Sequence, residues 1–190
     1  MKIEKGTITI LRITEMPGLD PIRVTLDDIG PSQGRINIEC YGEAWASYWG
    51  GMGNQGIAEF FVGCDNSYLI GNLAAHMDRT VFSGEQFAQR CQRRIGKMRR
   101  SRELNADKAR EYFDYAKELD GCESFDSFSN TAARDFLHDI YGDEWWYGVG
   151  QDSEAQHPKR AYLIRIIDAV RDALVIDAEA AHAAKAATPA

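Results

Sequence analysis

Hydrophobic and polar residues alternate with a period of two in three segments near the start of the chain. The first segment runs from Thr7 to Ile13, the second places apolar residues at Ile22, Val24 and Leu26, and the third at Ile36, Ile38 and Cys40. This period directs one face of a strand to a core and the other to water. Short connections rich in glycine and proline favour antiparallel pairing. The pattern therefore predicts a three-stranded antiparallel sheet.

The stretch from Glu39 to Leu73 carries the densest group of aromatic residues and glycines. Four large rings precede a glycine cluster and two short apolar runs; the rings are Tyr41, Trp45, Tyr48 and Trp49, and the runs are Ile57 to Val62 and Tyr68 to Leu73. Large rings dominate burial, and a small sheet is only marginally stable until its apolar face is covered. We therefore expect this stretch to pack against the sheet.

Apolar residues then recur at helical spacing, and about four helices are predicted. A capping box, Ser83-x-x-Gln86, opens the first helix; the others are centred on Ala109 to Leu119, Thr131 to Tyr141 with Asn130 as its N-cap, and Lys159 to Ala178. The predicted fold class is α+β. Its expected parts are residues 1–80 with the sheet and its aromatic cover, a helical region at 81–180 that forms one compact unit with them, and a frayed alanine-rich tail at 181–190.

Charge is distributed very unevenly, although the net value is only -7. From Arg90 to Arg110, nine basic residues stand against two acidic ones, and from Glu111 to Glu144, ten acidic residues stand against two basic ones. The molecule is therefore expected to be electrically dipolar. Such a dipole favours partners that carry charge.

The first predicted helix carries its cations on one side. At 100° per residue, Phe87, Cys91, Ile95 and Met98 share one arc, and the cations share another; this basic ridge comprises Arg90, Arg93, Arg94, Lys97 and Arg100. A ridge of this kind can bind phosphates, dock on an acidic protein surface, or be a solvated face neutralised by the acidic segment that follows. All three interpretations remain open from the sequence.

The acidic segment supplies a second candidate surface. It contains Asp139, Asp143 and Glu144, followed in an expected loop by the adjacent rings Trp145, Trp146 and Tyr147. Three adjacent rings cannot all point inward from a helix or strand, so at least one is expected on the surface. Carboxylates spread over a surface can imitate phosphates, and exposed rings can stack on bases.

Sequence motifs for catalysis or metal binding are not found. The four cysteines are far apart, and a cluster of Cys40, Cys64, His76 and Cys91 would need the fold to bring them together. His138 has carboxylates nearby in sequence, but residues at i and i+1 of a helix do not face one another. The chain is therefore predicted to be a non-enzyme that uses no cofactor and no metal.

No run of residues approaches the roughly 20 apolar positions of a membrane span, and the first residues lack the apolar block of a signal peptide. The composition, 44% hydrophobic and 27% charged, is typical of a globular protein. The expectation is a soluble cytoplasmic protein with no membrane partner.

The segment YGEAWASYWGGMGNQGIAEFFVGCDNSYLIGNL resembles the central block of small proteins carried by bacteriophages and prophages of Gram-negative bacteria. The resemblance covers about residues 1–80 and brings no catalytic residues with it. It implies an accessory phage protein, and accessory phage proteins of this size are frequently antagonists of host defence, including anti-CRISPR proteins.

Two functional hypotheses follow from charge and resemblance together. In the first, the chain is a non-enzymatic inhibitor of a host complex that handles nucleic acid, and it acts by stoichiometric protein binding that blocks nucleic-acid access. In the second, the chain is a phage protein that contacts DNA or RNA directly. There the basic ridge binds phosphates and the rings at Trp145 to Tyr147 stack on bases.

Overall fold

The computed structural model describes residues 1–3, 5–126 and 131–187. The chain divides into two compact units. Unit 1 contains Met1–Met77 together with Pro158–Ala190, and unit 2 contains Asp78–His157. The fold is a mixture of helices and antiparallel strands, so the predicted α+β class is confirmed.

An antiparallel sheet of four strands, in the order β1-β2-β3-β4, forms the base of unit 1. The strands are β1 (Thr9–Ile13), β2 (Ile22–Gly30), β3 (Gln33–Cys40) and β4 (Glu43–Trp49). The register pairs Ile22 with Cys40, and Ile38 with Trp45, which brings alternate apolar side chains to one face. Three of these strands were predicted from their alternation.

The fourth strand corrects the prediction of a three-stranded sheet. Strand β4 lies inside the aromatic stretch that was expected to cover the sheet. Trp45 and Trp49 are buried on its inner face, whereas Tyr48 points outward and is exposed. Because rings occupy both faces of this strand, the contrast between apolar and polar positions that marks a half-buried strand is weak.

Three helices cover the apolar face of the sheet. They are α1 (Ile57–Gly63), α2 (Asn66–Leu73), in which the Asp65 carboxylate caps the first turn, and α7 (Pro158–Ala187). Helix α7 contributes Leu163, Ile166 and Val170 to the core of this unit. Helices α1 and α2 had been recognised from the sequence only as apolar runs.

Helix α7 also changes the expected grouping of the chain. It had been placed in a helical region at 81–180, yet it packs with the sheet in unit 1. It also continues to Ala187, so the expected frayed tail at 181–190 is helical as far as that residue, with exposed side chains at 181–186. Alanine has the highest helix propensity, and this explains why the helix continues beyond its last buried residue.

Unit 2 is built from α3 (Gly84–Arg100), α4 (Ala106–Glu118), α5 (Thr131–Tyr141) and α6 (Trp145–Asp152). A 3₁₀ turn at Leu119–Gly121 follows α4, and two short strands, β5 (Thr80–Phe82) and β6 (Glu154–Gln156), pair antiparallel. The core joins Phe87, Cys91 and Ile95 of α3 to Tyr112 of α4 and Phe136 of α5.

The local signals for α3, α4 and α5 agree with the structure, but the number of helices does not. The described residues form seven α-helices, whereas four were predicted. At the start of α3, Ser83 Oγ accepts a hydrogen bond from Gln86 N at 3.2 Å, as the capping box predicted. Helix α6 was expected to be a loop, and the proposed N-cap of α5, Asn130, lies outside the described residues.

One glycine fixes how closely α3 approaches the 3₁₀ turn. A Cβ atom on Gly84 would come within 2.7 Å of the Cys122 carbonyl oxygen and closer still to that of Leu119. Backbone carbonyls cannot move aside as flexible side chains do. Only glycine therefore allows this contact, and Gly84 is buried.

Replacing this glycine tests the packing of unit 2. We expect Gly84→Ala to lower the free energy of unfolding by about 2 kcal/mol, because the added methyl group overpacks a site lined by backbone. Gly96→Ala in the same helix is the matched control, since a Cβ there would meet only the Arg100 guanidinium at 3.9 Å. It should stabilise the protein by about 0.5–1 kcal/mol through helix propensity. Chemical denaturation measures both changes, and equal effects would contradict the packing described.

Candidate functional site

The basic ridge lies on α3 because the opposite face of that helix is completely buried. Phe87, Cys91 and Ile95 are each no more than 1% exposed. The helical repeat then directs the intervening cations away from the core. The apolar residues and the cations occupy separate sides of α3, as the sequence predicted. The five cations, however, do not share one environment.

Two cations of the ridge are used inside unit 2. Arg90 donates to the carbonyl oxygen of Gln151 and lies 3.5 Å from the Asp152 carboxylate. Arg94 donates to the carbonyl oxygen of Ile140, and its guanidinium carbon lies 4.5 Å from the centroid of the Tyr141 ring. These contacts tie α3 to the ends of α5 and α6. Arg90 and Arg94 therefore have structural roles that the sequence did not reveal.

The other three cations line an open groove. The groove has a volume of about 560 Å³. We call it the basic groove, and its lining residues are Gln89, Gln92, Arg93, Gly96, Lys97, Arg100 and Phe113. Arg93 donates to the Gln89 carbonyl oxygen at 3.3 Å within the helix. In the described part of the chain, no carboxylate lies within ion-pair distance of Arg93, Lys97 or Arg100.

The shape of the basic groove depends on two further residues. Gly96 leaves its floor without a side chain, and Phe113 of α4 forms part of its wall and is 40% exposed. The seven steps from Arg93 to Arg100 span about 10 Å along the helix at 1.5 Å per residue. The groove therefore presents three cations beside an apolar ring over a short distance, which suits an anionic partner with some apolar surface.

Phe113 and Gly96 were not recognised as site residues from the sequence. Phe113 had been assigned to the apolar face of the second helix. A signal was present, because it lies 100° beyond Tyr112 and hence at the edge of that face, whereas Tyr112 is buried. Nothing in the sequence separated Gly96 from other helical glycines.

The acidic and aromatic candidates are divided among different environments. Asp139 accepts a hydrogen bond from the Tyr112 hydroxyl, and Asp143 lies 2.7 Å from His138 Nε2, so both have partners within unit 2. Glu144 is exposed at the start of α6. Asp139 and Asp143 both lie within 4.0 Å of His138, so two of the three predicted carboxylates are neighbours.

The three adjacent rings also differ in exposure. Trp145 is half-buried and stacks on Phe125, with their ring centroids 6.0 Å apart. Trp146 is 51% exposed and Tyr147 is 70% exposed. The prediction that at least one ring lies on the surface is confirmed, although the rings belong to a helix and not to a loop.

His138 and its nearer carboxylate are solvent-exposed. Asp143 reaches His138 because Gly142, with φ of 86°, turns the chain after α5. The His138–Asp139 pair is longer, at 4.0 Å. Both side chains of the shorter pair are exposed, whereas catalytic acid–base groups usually sit in concave pockets.

The cysteines have separate local surroundings. Cys40 Sγ lies 3.3 Å from the Tyr162 hydroxyl in unit 1, and Cys91 Sγ lies 3.6 Å from the Tyr141 hydroxyl in unit 2. Burial raises the pKa of the Cys91 thiol to about 12. The described residues contain no group of three or more histidine, cysteine or acidic side chains arranged to hold a metal ion. No described helix is long and apolar enough to cross a membrane.

Comparison with known proteins gives one match. A model described as a phage family, Phage_phiTE_072, matches residues 1–175 and so covers both units. No curated protein and no solved structure matches the chain.

Proposed function

The chain belongs to a phage protein family, as the resemblance predicted, and on this premise we propose that it is a non-enzymatic inhibitor of a host defence complex, of the anti-CRISPR type. It acts by stoichiometric binding in the host cytoplasm. The basic groove docks on an acidic face of a host protein. The exposed carboxylates of unit 2 occupy a site that would otherwise receive nucleic acid.

The single observation that carries this proposal is the set of unpaired cations in the basic groove. Arg93, Lys97 and Arg100 are exposed, and none has a carboxylate partner among the described residues. Like charges crowded on one helix face are slightly destabilising by themselves. Their presence is therefore accounted for by a partner better than by the fold.

A protein partner accounts for the three cations of the basic groove better than a nucleic-acid partner does. Three phosphate contacts would give a salt-dependence slope of only about -2.7, whereas proteins that bind duplex DNA strongly make roughly 6–10 such contacts. The chain as a whole has a net charge of -7 and a calculated pI of about 5.1. Its long-range field therefore repels polyanions and attracts basic surfaces.

The exposed carboxylates of unit 2 support the second half of the proposal. Glu118, Asp120, Glu123 and Asp135 are all exposed. Exposed carboxylates carry negative charge as the phosphates of a nucleic acid do, but without the sugars and bases. They would therefore fit a basic channel that binds a phosphate backbone. Electrostatic attraction would also speed the encounter with such a channel.

The test is inhibition measured together with binding. A host complex of the defence class, purified with its guide, is mixed with the chain, and the binding of target DNA is followed by mobility shift. We expect the chain to form a stable complex and to abolish DNA binding at equimolar ratio. We expect Arg93→Glu with Lys97→Glu to weaken that complex at least tenfold, because charge reversal places like charges at the contact.

The matched control makes the same change of charge on α3 and just beyond it, outside the groove. Arg99→Glu with Arg102→Glu should retain inhibition, because neither residue lines the basic groove. Loss of inhibition in both double variants would show a nonspecific effect of net charge. Failure of the unmodified chain to bind any such complex would refute the proposal.

A second candidate function is direct binding of single-stranded nucleic acid. The exposed rings of Trp146 and Tyr147 favour it, since exposed aromatic side chains form stacking platforms for bases. In this case a labelled oligonucleotide should bind at about 50 mM salt, and Trp146→Ala with Tyr147→Ala should weaken binding by about 2 kcal/mol. Absence of binding to DNA and RNA at that salt concentration would eliminate this function.

A further inference from the structure

The hairpin between β3 and β4 carries a residue that the fold does not require. Its two turn residues are Tyr41, with φ of 49°, and Gly42, with φ of 77°. Turns with two positive φ values favour asparagine, aspartate or glycine, because a bulky side chain is strained there. Tyr41 is 80% exposed, so its ring gains little burial in return. An exposed, strained aromatic residue of this kind is typical of a binding site.

Tyr41 forms one wall of a pocket in unit 1. The pocket has a volume of about 310 Å³. It is lined by Tyr41, Glu43, Trp45, Met77, Pro158, Lys159 and Tyr162. Three aromatic rings face a small apolar space, and a single charged pair, Lys159 Nζ to Glu43 Oε1 at 3.0 Å, stands at its edge. We call this space the aromatic pocket.

The aromatic pocket can offer hydrogen-bond donors to a ligand. The Trp45 side chain is 8% exposed, and no buried side-chain polar atom of the described residues lacks a partner, so its indole N–H, for which no bond within the chain is found, is reached by solvent. The Tyr41 hydroxyl likewise has no partner among the described residues. The carboxylate of Glu43 already accepts from Lys159. Because Trp45 lines the aromatic pocket, this N–H is available to donate to a ligand.

These features define the chemistry of the ligand. Carbonyl oxygens on a ligand can accept from the indole and hydroxyl groups. The ligand needs a compact apolar ring that packs on aromatic faces. A proline residue has a carbonyl group but no N–H, and its ring provides the apolar surface.

We propose that the aromatic pocket binds a proline-containing segment of a partner protein in the extended polyproline conformation, with a proline ring between Tyr41, Trp45 and Tyr162. The Trp45 indole donates to a carbonyl oxygen of that segment. Aromatic-lined grooves recognise such segments because the polyproline helix is already ordered before binding. This site belongs to unit 1, whereas the residues used in the proposed function belong to unit 2, and it does not depend on that function.

The test uses a synthetic oligoproline peptide and the full chain labelled with ¹⁵N. We expect saturable chemical-shift changes at the Trp45 indole N–H, whereas an alanine-based peptide of the same length should cause none. Tyr41→Asn should weaken oligoproline binding at least tenfold. Asparagine suits the turn, so this variant should unfold at the same temperature as the unmodified chain or at a higher one.

A second tyrosine serves as the matched control. Tyr48 is an exposed ring on β4, outside the aromatic pocket, and Tyr48→Thr should bind the peptide as the unmodified chain does. The proposal is overturned if roughly millimolar oligoproline, a concentration at which a Kd of about 1 mM would give half-saturation, leaves the Trp45 indole signal unchanged. It is also overturned if Tyr41→Asn binds as tightly as the unmodified chain.

Discussion

Burial of one face of α3 is the constraint on which the rest of unit 2 depends. Phe87, Cys91 and Ile95 pack against α4 and α5, and burying a side chain as large as Phe or Ile is worth about 1.5–3 kcal/mol. No alternative rotation of the helix keeps these side chains buried. The position of every cation on α3 is therefore set by hydrophobic packing. Each cation must then either find a hydrogen-bond partner or remain in contact with solvent.

The cations of α3 fall into two groups, one bonded within unit 2 and the other exposed. Arg90 and Arg94 reach carbonyl oxygens at Gln151 and Ile140, and hydrogen bonds from charged donors stabilise a fold by more than neutral ones do. Arg93, Lys97 and Arg100 instead line the basic groove beside Phe113. The ridge thus separates into a structural part and a part that the fold leaves accessible, and our functional proposal concerns only the second part.

The sequence predicted those elements in which one local pattern dominates. Strands β2 and β3 alternate cleanly, and α3 has both a capping residue and a one-sided apolar arc, so each could be recognised alone. Strand β4 has rings on both faces, and helix α6 begins with three adjacent rings, so neither shows the expected period. The placement of α7 on the sheet depends on contacts between residues far apart in sequence, which periodicity does not encode.

The candidate site was predicted only in part for a related reason. Helical spacing places all five cations of the ridge on one side of α3, and it cannot distinguish Arg94, which reaches α5, from Arg93, which does not. The groove itself requires the distance between α3 and α4 and the missing side chain of Gly96. Such features depend on the relative positions of two helices and therefore become visible only in three dimensions.

The most direct test of this account is the stability of a variant in which Arg93, Lys97 and Arg100 are all changed to glutamine. Glutamine preserves helix propensity, and the account holds that none of these charges has a carboxylate partner. Chemical denaturation at low ionic strength should then give a free energy of unfolding within about 0.5 kcal/mol of the unmodified chain, or higher. A loss of more than about 1 kcal/mol would show that these cations stabilise the fold, and would contradict the claim that they are free for a partner.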